Sequence, residues 1–166
     1  TGGRPPLEPN RCILVGYGPV GKIVHRLLLD RGADITVIDL NLNTIRQLQG
    51  AGHAALYGDA LRPGTLVEAG IERAGSLILS ADIEDAAEII KQALLHNPEL
   101  RVLARCMHLR DAPALRRAGA EVVAAGEAEV GVALAEAVTV ADQMTCGEAA
   151  DHREEVRRSL YDGSKV

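Results

Sequence analysis

Three glycines, Gly16, Gly18 and Gly21, close the stretch ILVGYGPVG (13–21) and match the spacing G-x-G-x-x-G. In that pattern the first glycine permits a tight strand-to-helix turn. The second lets the backbone approach a pyrophosphate, and the third lets the helix pack closely on the strand. The helix opened by such a turn offers unpaired N–H groups and the positive end of its dipole to a phosphate. Tyr17, Pro19 and Val20 complete the candidate cradle. Asp39 ends a second strand-like run, DITVID, 18 residues after Gly21. A carboxylate in that place accepts hydrogen bonds from ribose hydroxyls. A 2′-phosphate there would meet a like charge, with a repulsion of about 4 kcal/mol at ~4 Å in an effective dielectric of ~20. No Arg or Lys occupies 40–45 to offset it, although Arg46 follows. The pair favours NAD or an adenine nucleotide over NADP. A ligand-free turn with a strand-end Asp is the alternative, and the two features arriving in register weigh against it.

Other residues could serve the same site. Ser80-Ala81-Asp82 closes a fourth strand-like run, GSLILSA. Ser80 is there either a contact to phosphate or nicotinamide ribose, or, with Asp82, a cap for the following helix. Arg105 ends a fifth run, RVLARC, as a phosphate partner, a salt bridge beneath the site, or a surface arginine. Cys106 and His108 form a lone C-x-H without a second ligand pair, so no metal is expected. Cys12 and Cys106 lie in apolar runs and read as buried free thiols of a reducing compartment. The histidines at 25, 53, 96, 108 and 152 have no carboxylate partner at a suggestive spacing, which assigns them surface or packing roles. A dehydrogenase needs an acid/base group beside the nicotinamide, and none stands out.

These residues need a scaffold. Strand-like runs over 11–15, 34–39, 53–59, 75–81, 101–106 and 121–126 alternate with helical patterns. In the first helix Val20, Ile23, Val24, Leu27 and Leu28 share one face, Pro19 suits the start and Gly32 the end. Alternation of this kind predicts an α/β fold: a three-layer, Rossmann-like, doubly wound sheet of six parallel strands in the order 3-2-1-4-5-6. Residues 1–10, rich in Pro and Gly, read as a linker or tag remnant, 11–145 as one domain, and 146–166 as a polar tail with a peripheral helix. Val130, Leu134, Ala137, Val138 and Ala141 form an apolar stripe in the helix over 127–144, which either caps the same domain or docks a second subunit. The chain of 166 residues carries 18 basic and 23 acidic groups, a net charge of −5, and its only aromatics are three tyrosines. That balance excludes a basic, aromatic nucleic-acid surface. No apolar run reaches the ~18 residues of a membrane span.

The stretches ILVGYGPVGKIVHRLL, TVIDLN, YGDALRPGTLVEAGIERAGSLILSADIEDAAEII, VLARCMHLRDAPALRRAGAEVV and GEAEVGVALAEAV together resemble the regulator-of-K⁺-conductance, or TrkA N-terminal, domain family over about residues 11–139. Tyr57-Gly58-Asp59-Ala60 and the run over 115–123 are more specific than the glycine motif. The spacing is most similar to cytoplasmic domains of bacterial Kef-type monovalent-cation/proton antiporters. That resemblance implies a nucleotide, NAD(H) or AMP, ADP or ATP, held as a regulatory signal, and hence no enzyme. It implies a membrane-embedded K⁺ or Na⁺/H⁺ transporter as partner, in the same or a separate chain, a homodimer, and a place at the cytoplasmic face of the bacterial inner membrane. It sets Gly16, Gly18 and Gly21 on the diphosphate, Asp39 with Leu40 at the adenosine ribose, and Asp59 and Ala60 beside the adenine. Ser80 and Arg105 would face the phosphates or the second ribose. Pro19 departs from the Arg often found in this turn, which removes a phosphate-binding cation and lets AMP suffice. An NAD-dependent oxidoreductase and a ligand-free dimer module are the competing readings.

Overall fold

The structure, a computed structural model, describes residues 5–139 and 146–162. Strand β1 spans Glu8–Val15, and its side chains alternate between two faces. Ile13 and Val15 enter the larger core cluster, whereas Cys12 and Leu14 enter a smaller one on the opposite face. Chain order then runs α1 (Pro19–Leu29), β2 (Asp34–Asp39), α2 (Leu42–Gly50), β3 (Ala54–Tyr57), α3 (Pro63–Glu68), β4 (Ala74–Leu79), α4 (Ala86–His96), β5 (Arg101–Cys106), α5 (Ala112–Ala118), β6 (Val122–Ala125), α6 (Gly126–Thr139) and α7 (Cys146–Tyr161), with a short 3-10 turn at Leu109–Asp111. All strand pairings are parallel, in the order β3-β2-β1-β4-β5-β6. This is the doubly wound α/β sheet expected from the sequence. Residues of α3, α4 and α5 fill the larger cluster, and α1 and α2 supply the smaller.

Three details differ from the sequence reading. β1 begins at Glu8, inside the stretch read as a linker. Glu8 N donates to the Arg73 carbonyl at 2.8 Å, and Gly75 leaves room for Pro9 at a register shift in the strand. Residues 1–4 lie outside the described residues. Second, α1 is rotated. Ile23 is 60 % and Leu27 54 % exposed, while Gly21 and His25 are buried and Val24 and Leu28 half-buried. The inward stripe is thus 21, 24, 25 and 28, because Gly21 must face the strand end; of the expected apolar face Val24 and Leu28 turn inward, and Val20, Ile23 and Leu27 turn outward. Third, α6 seats itself through buried Ala128 and Val132. The apolar stripe does not cap the domain, the first of its two readings, and stays open, with Val130 60 % and Leu134 66 % exposed. Ala141 and the rest of 140–145 lie outside the described residues, as do 163–166.

The polar segment after 145 docks. Leu160 and Tyr161 pack on the larger core, and Ala125 N donates to the Tyr161 hydroxyl at 2.7 Å across the edge strand β6. Arg157 pairs with Glu129 at 2.8 Å, which holds α7 against α6.

Candidate functional site

The carboxyl ends of β1, β2 and β4 converge on the glycine turn. Gly16 N donates to the Ile38 carbonyl at 2.9 Å, and Ser80 N to the Val15 carbonyl at 3.0 Å. Gly16 takes a φ of +92°, a left-handed conformation that L side chains rarely adopt, and a Cβ there would meet the Ala81 Cβ at 2.9 Å. A Cβ on Gly21 would overlap the Gly16 carbonyl oxygen. Both glycines are therefore demanded by packing alone. Gly18 is different. It is the N-cap of α1 with φ −73°, and a Cβ on it would meet nothing within 4 Å. No side chain caps α1, its first turn holds no acidic residue, and Pro19 stands where a missing N–H costs least. The first-turn N–H groups, at Val20 and Gly21, have no partner within the helix.

Asp39 is built into this turn. Its Oδ2 accepts the Tyr17 N–H at 2.7 Å and its Oδ1 accepts the Asn41 N–H at 2.7 Å. Both are charge-assisted bonds, so the carboxylate is fixed between the starts of α1 and α2. Asn41 in turn caps α2 through Thr44 N at 3.1 Å. Leu40 projects into solvent beside the carboxylate, two-thirds exposed. Asp59 turns its Oδ1 onto Leu61 N at 2.9 Å, shaping the loop after β3, and Ala60 is buried. Gly16, Ile38, Asp39, Leu40, Asp59 and Ala60 line one cleft of about 170 Å³, closed on the β4 side by Ala81 and Ile83. The structure thus brings the glycine turn, Asp39, Leu40, Asp59 and Ala60 together.

Ser80 and Arg105 take other places. The Ser80 side chain is buried, and its hydroxyl points at the carbonyls of Gly16, 2.8 Å, and Val15, 3.1 Å. It clasps the turn to β4 from beneath. Helix α4 starts at Ala86 with Asp85 before it and no side-chain cap, so Ser80 and Asp82 do not cap it. Asp82 instead accepts the Met107 N–H at 3.3 Å. Arg105 reaches the same sheet edge, its Nη1 3.4 Å from the Ser80 carbonyl. It lines a neighbouring cavity of about 450 Å³ with Asp82, Glu84, Cys106 and Asp111. Ile83 lines both spaces.

The sequence reading missed the walls of the cleft, Ile83 and Ala81, which nothing in SADIE marks as site residues. His25, read as a packing or surface residue, is buried and packs against Tyr17, with the two rings in a T-shaped contact at 5.3 Å. Cys106 is a buried free thiol, as is Cys12, and burial pushes both thiols up from their ordinary values. His108 Nδ1 meets Glu127 at 2.7 Å, which holds the Glu127 carboxyl below the usual range. Among the described residues no group of three His, Cys, Asp or Glu is placed to hold a metal ion, and no helix is long and apolar enough to cross a membrane.

The family model of the TrkA-N domain matches residues 12–125. The TrkA-N domain of the inner membrane protein YbaL from Escherichia coli is 30 % identical, with a TM-score of 0.73 over 78 % of this chain and 96 % of that one. The Kef CTD of Shewanella denitrificans, solved in an AMP-bound form, is 27 % identical, with a TM-score of 0.74 over 92 % of this chain and 96 % of that one. The GsuK channel bound to NAD shares the fold at 21 % identity and a TM-score of 0.67, over 75 % of this chain and 23 % of the channel chain.

Proposed function

This chain belongs to the TrkA-N domain family, and on that premise we propose that it is a nucleotide-binding regulatory domain of a K⁺ or Na⁺/H⁺ transport protein. The observation that carries the reading is the open space at Gly18. The fold does not need glycine there, yet it stands at an uncapped helix N-terminus with a fixed carboxylate beside it. A phosphate would meet the Val20 and Gly21 N–H groups, and the ribose hydroxyls would donate to the free lone pairs of Asp39. The adenine would lie in the cleft among Ile38, Leu40, Asp59 and Ala60. The AMP carried by the Kef CTD and the NAD carried by the GsuK channel are ligands of the type this site fits.

AMP fills the arrangement by itself, and a dinucleotide would extend past Ile83 toward Arg105. The nucleotide acts as a signal, and its binding would bias the domain, and a homodimer of it, against a membrane-embedded transporter at the cytoplasmic face. The exposed stripe on α6 is the surface offered to such contacts. A thermal-shift panel of AMP, ADP, ATP, NAD, NADH and NADP tests the reading. A ligand at 100 times its Kd adds about 2.7 kcal/mol of stability. Ligands with a free 2′-hydroxyl should raise Tm and NADP should not. A panel in which no nucleotide raises Tm overturns the proposal, and turnover of NADH with a carbonyl substrate would replace it with an oxidoreductase.

A further inference from the structure

His25 sits on α1 four residues past Gly21 and is 3 % exposed. Its Nε2 is buried without a hydrogen-bond partner. Its Nδ1 lies 3.4 Å from the Tyr17 hydroxyl, the long limit of a hydrogen bond. The titratable groups that face it are Tyr17, from the glycine turn, and His53, from the connection between α2 and β3, whose ring stands edge-on at 4.9 Å. Tyr17 therefore touches His25 with its ring and Asp39 with its backbone N–H, at 2.7 Å. One residue joins a buried imidazole to the carboxylate of the nucleotide cleft.

We propose that His25 is a positioning residue for this site, acting through Tyr17, and that it makes nucleotide affinity fall on acidification. The inference rests on the nucleotide-binding reading above. A neutral imidazole leaves one unpartnered nitrogen in the pocket, which is tolerable. A protonated one carries N–H at both nitrogens, and its Nε2–H would be a charged donor without an acceptor, beside a second imidazole. Moving the ring outward relieves that cost, and the Tyr17 ring loses its support as it goes. The Tyr17–Asp39 bond then loosens. Burial first, and His53 second, lower the His25 pKa from its ordinary value. The open form therefore takes up the proton first as pH falls, and the closed, nucleotide-ready form is lost between the ordinary histidine value and the lower one.

The test is AMP affinity by calorimetry at about pH 8 and about pH 5.5, for the native chain, His25→Gln and His53→Ala. The phosphate of AMP itself titrates near pH ~6, so the ratio of native to variant Kd at each pH is the quantity read. The Tyr17 amide resonance is followed through the same titration without nucleotide. The ratio of native to His25→Gln Kd should be about fivefold or more larger at the lower pH than at the higher, within the ceiling of about tenfold per pH unit for one linked proton. The Tyr17 amide should shift with the His25 midpoint, and His53→Ala should raise that midpoint and shrink the affinity loss. Should His25→Gln fail to fold, the His53→Ala comparison decides alone. A pH-independent ratio with a static Tyr17 amide, both proteins binding, overturns this inference and leaves the nucleotide site standing. Absence of AMP binding by the native chain at both pH values overturns the nucleotide reading and this coupling with it.

Discussion

The three turn glycines do different work, and substitution separates them. Gly21→Ala sets a Cβ into the Gly16 carbonyl, and backbone cannot give way as a side chain can. Its cost should reach about 3 kcal/mol, the upper end for overpacking. At 2–4 °C per kcal/mol for a chain of this size, Tm should fall by roughly 6–12 °C. Gly18→Ala meets open space at an ordinary φ and loses only the N-cap preference for Gly over Ala, so Tm should fall far less than in Gly21→Ala. Nucleotide affinity should still drop at least about tenfold, because the new methyl stands where the phosphate approaches. Melting curves and calorimetry on the two variants read this contrast. Equal affinity in Gly18→Ala would mean that the ligand does not use the turn. The glycine pattern and Asp39 were legible in the sequence because their spacing is fixed by the turn itself. The role of Ser80 was not, since a serine at a strand end can face a ligand, a helix or a carbonyl with equal ease. Only the 2.8 Å approach to Gly16 distinguishes them.

At the scale of elements, the strands were readable as near-continuous apolar runs, as expected for a parallel sheet buried on both faces. The rotation of α1 was not. Hydrophobicity alone favoured a face through Val20, Ile23, Val24, Leu27 and Leu28, of which Val24 and Leu28 turn inward, because the contact between Gly21 and Gly16 fixes which side of the helix meets the strand. His25 is buried as a consequence. The docking of α7 was equally hidden, for its sequence is polar and it is held by a few specific bonds. Tyr161 is the main one, because its hydroxyl accepts the Ala125 N–H at the edge of β6. Tyr161→Phe removes that acceptor and leaves a part-buried amide unpaired, a loss of about 1–2 kcal/mol. Denaturant midpoints should fall accordingly with an unchanged m-value. An unaltered midpoint would show that α7 contributes no stability through this contact.

For the whole molecule, the doubly wound sheet sets every candidate group at the carboxyl edge of its strands, where such folds bind ligands. The order β3-β2-β1-β4-β5-β6 brings β1 and β4 side by side, and their ends carry the turn and the serine that clasps it. Residues at opposite ends of the cleft, Asp39 and Ile83, meet only because of that order, which is why the far wall escaped the sequence reading. The central claim is that a nucleotide sits on the glycine turn with its ribose at Asp39. Backbone amide resonances recorded during titration with AMP test it most directly. The signals of Tyr17, Gly18, Val20, Gly21 and Asp39 should show the largest shifts, in a saturable manner. A spectrum that does not change, or one that changes only around Arg116 and Tyr161 at the far edge of the sheet, would contradict it.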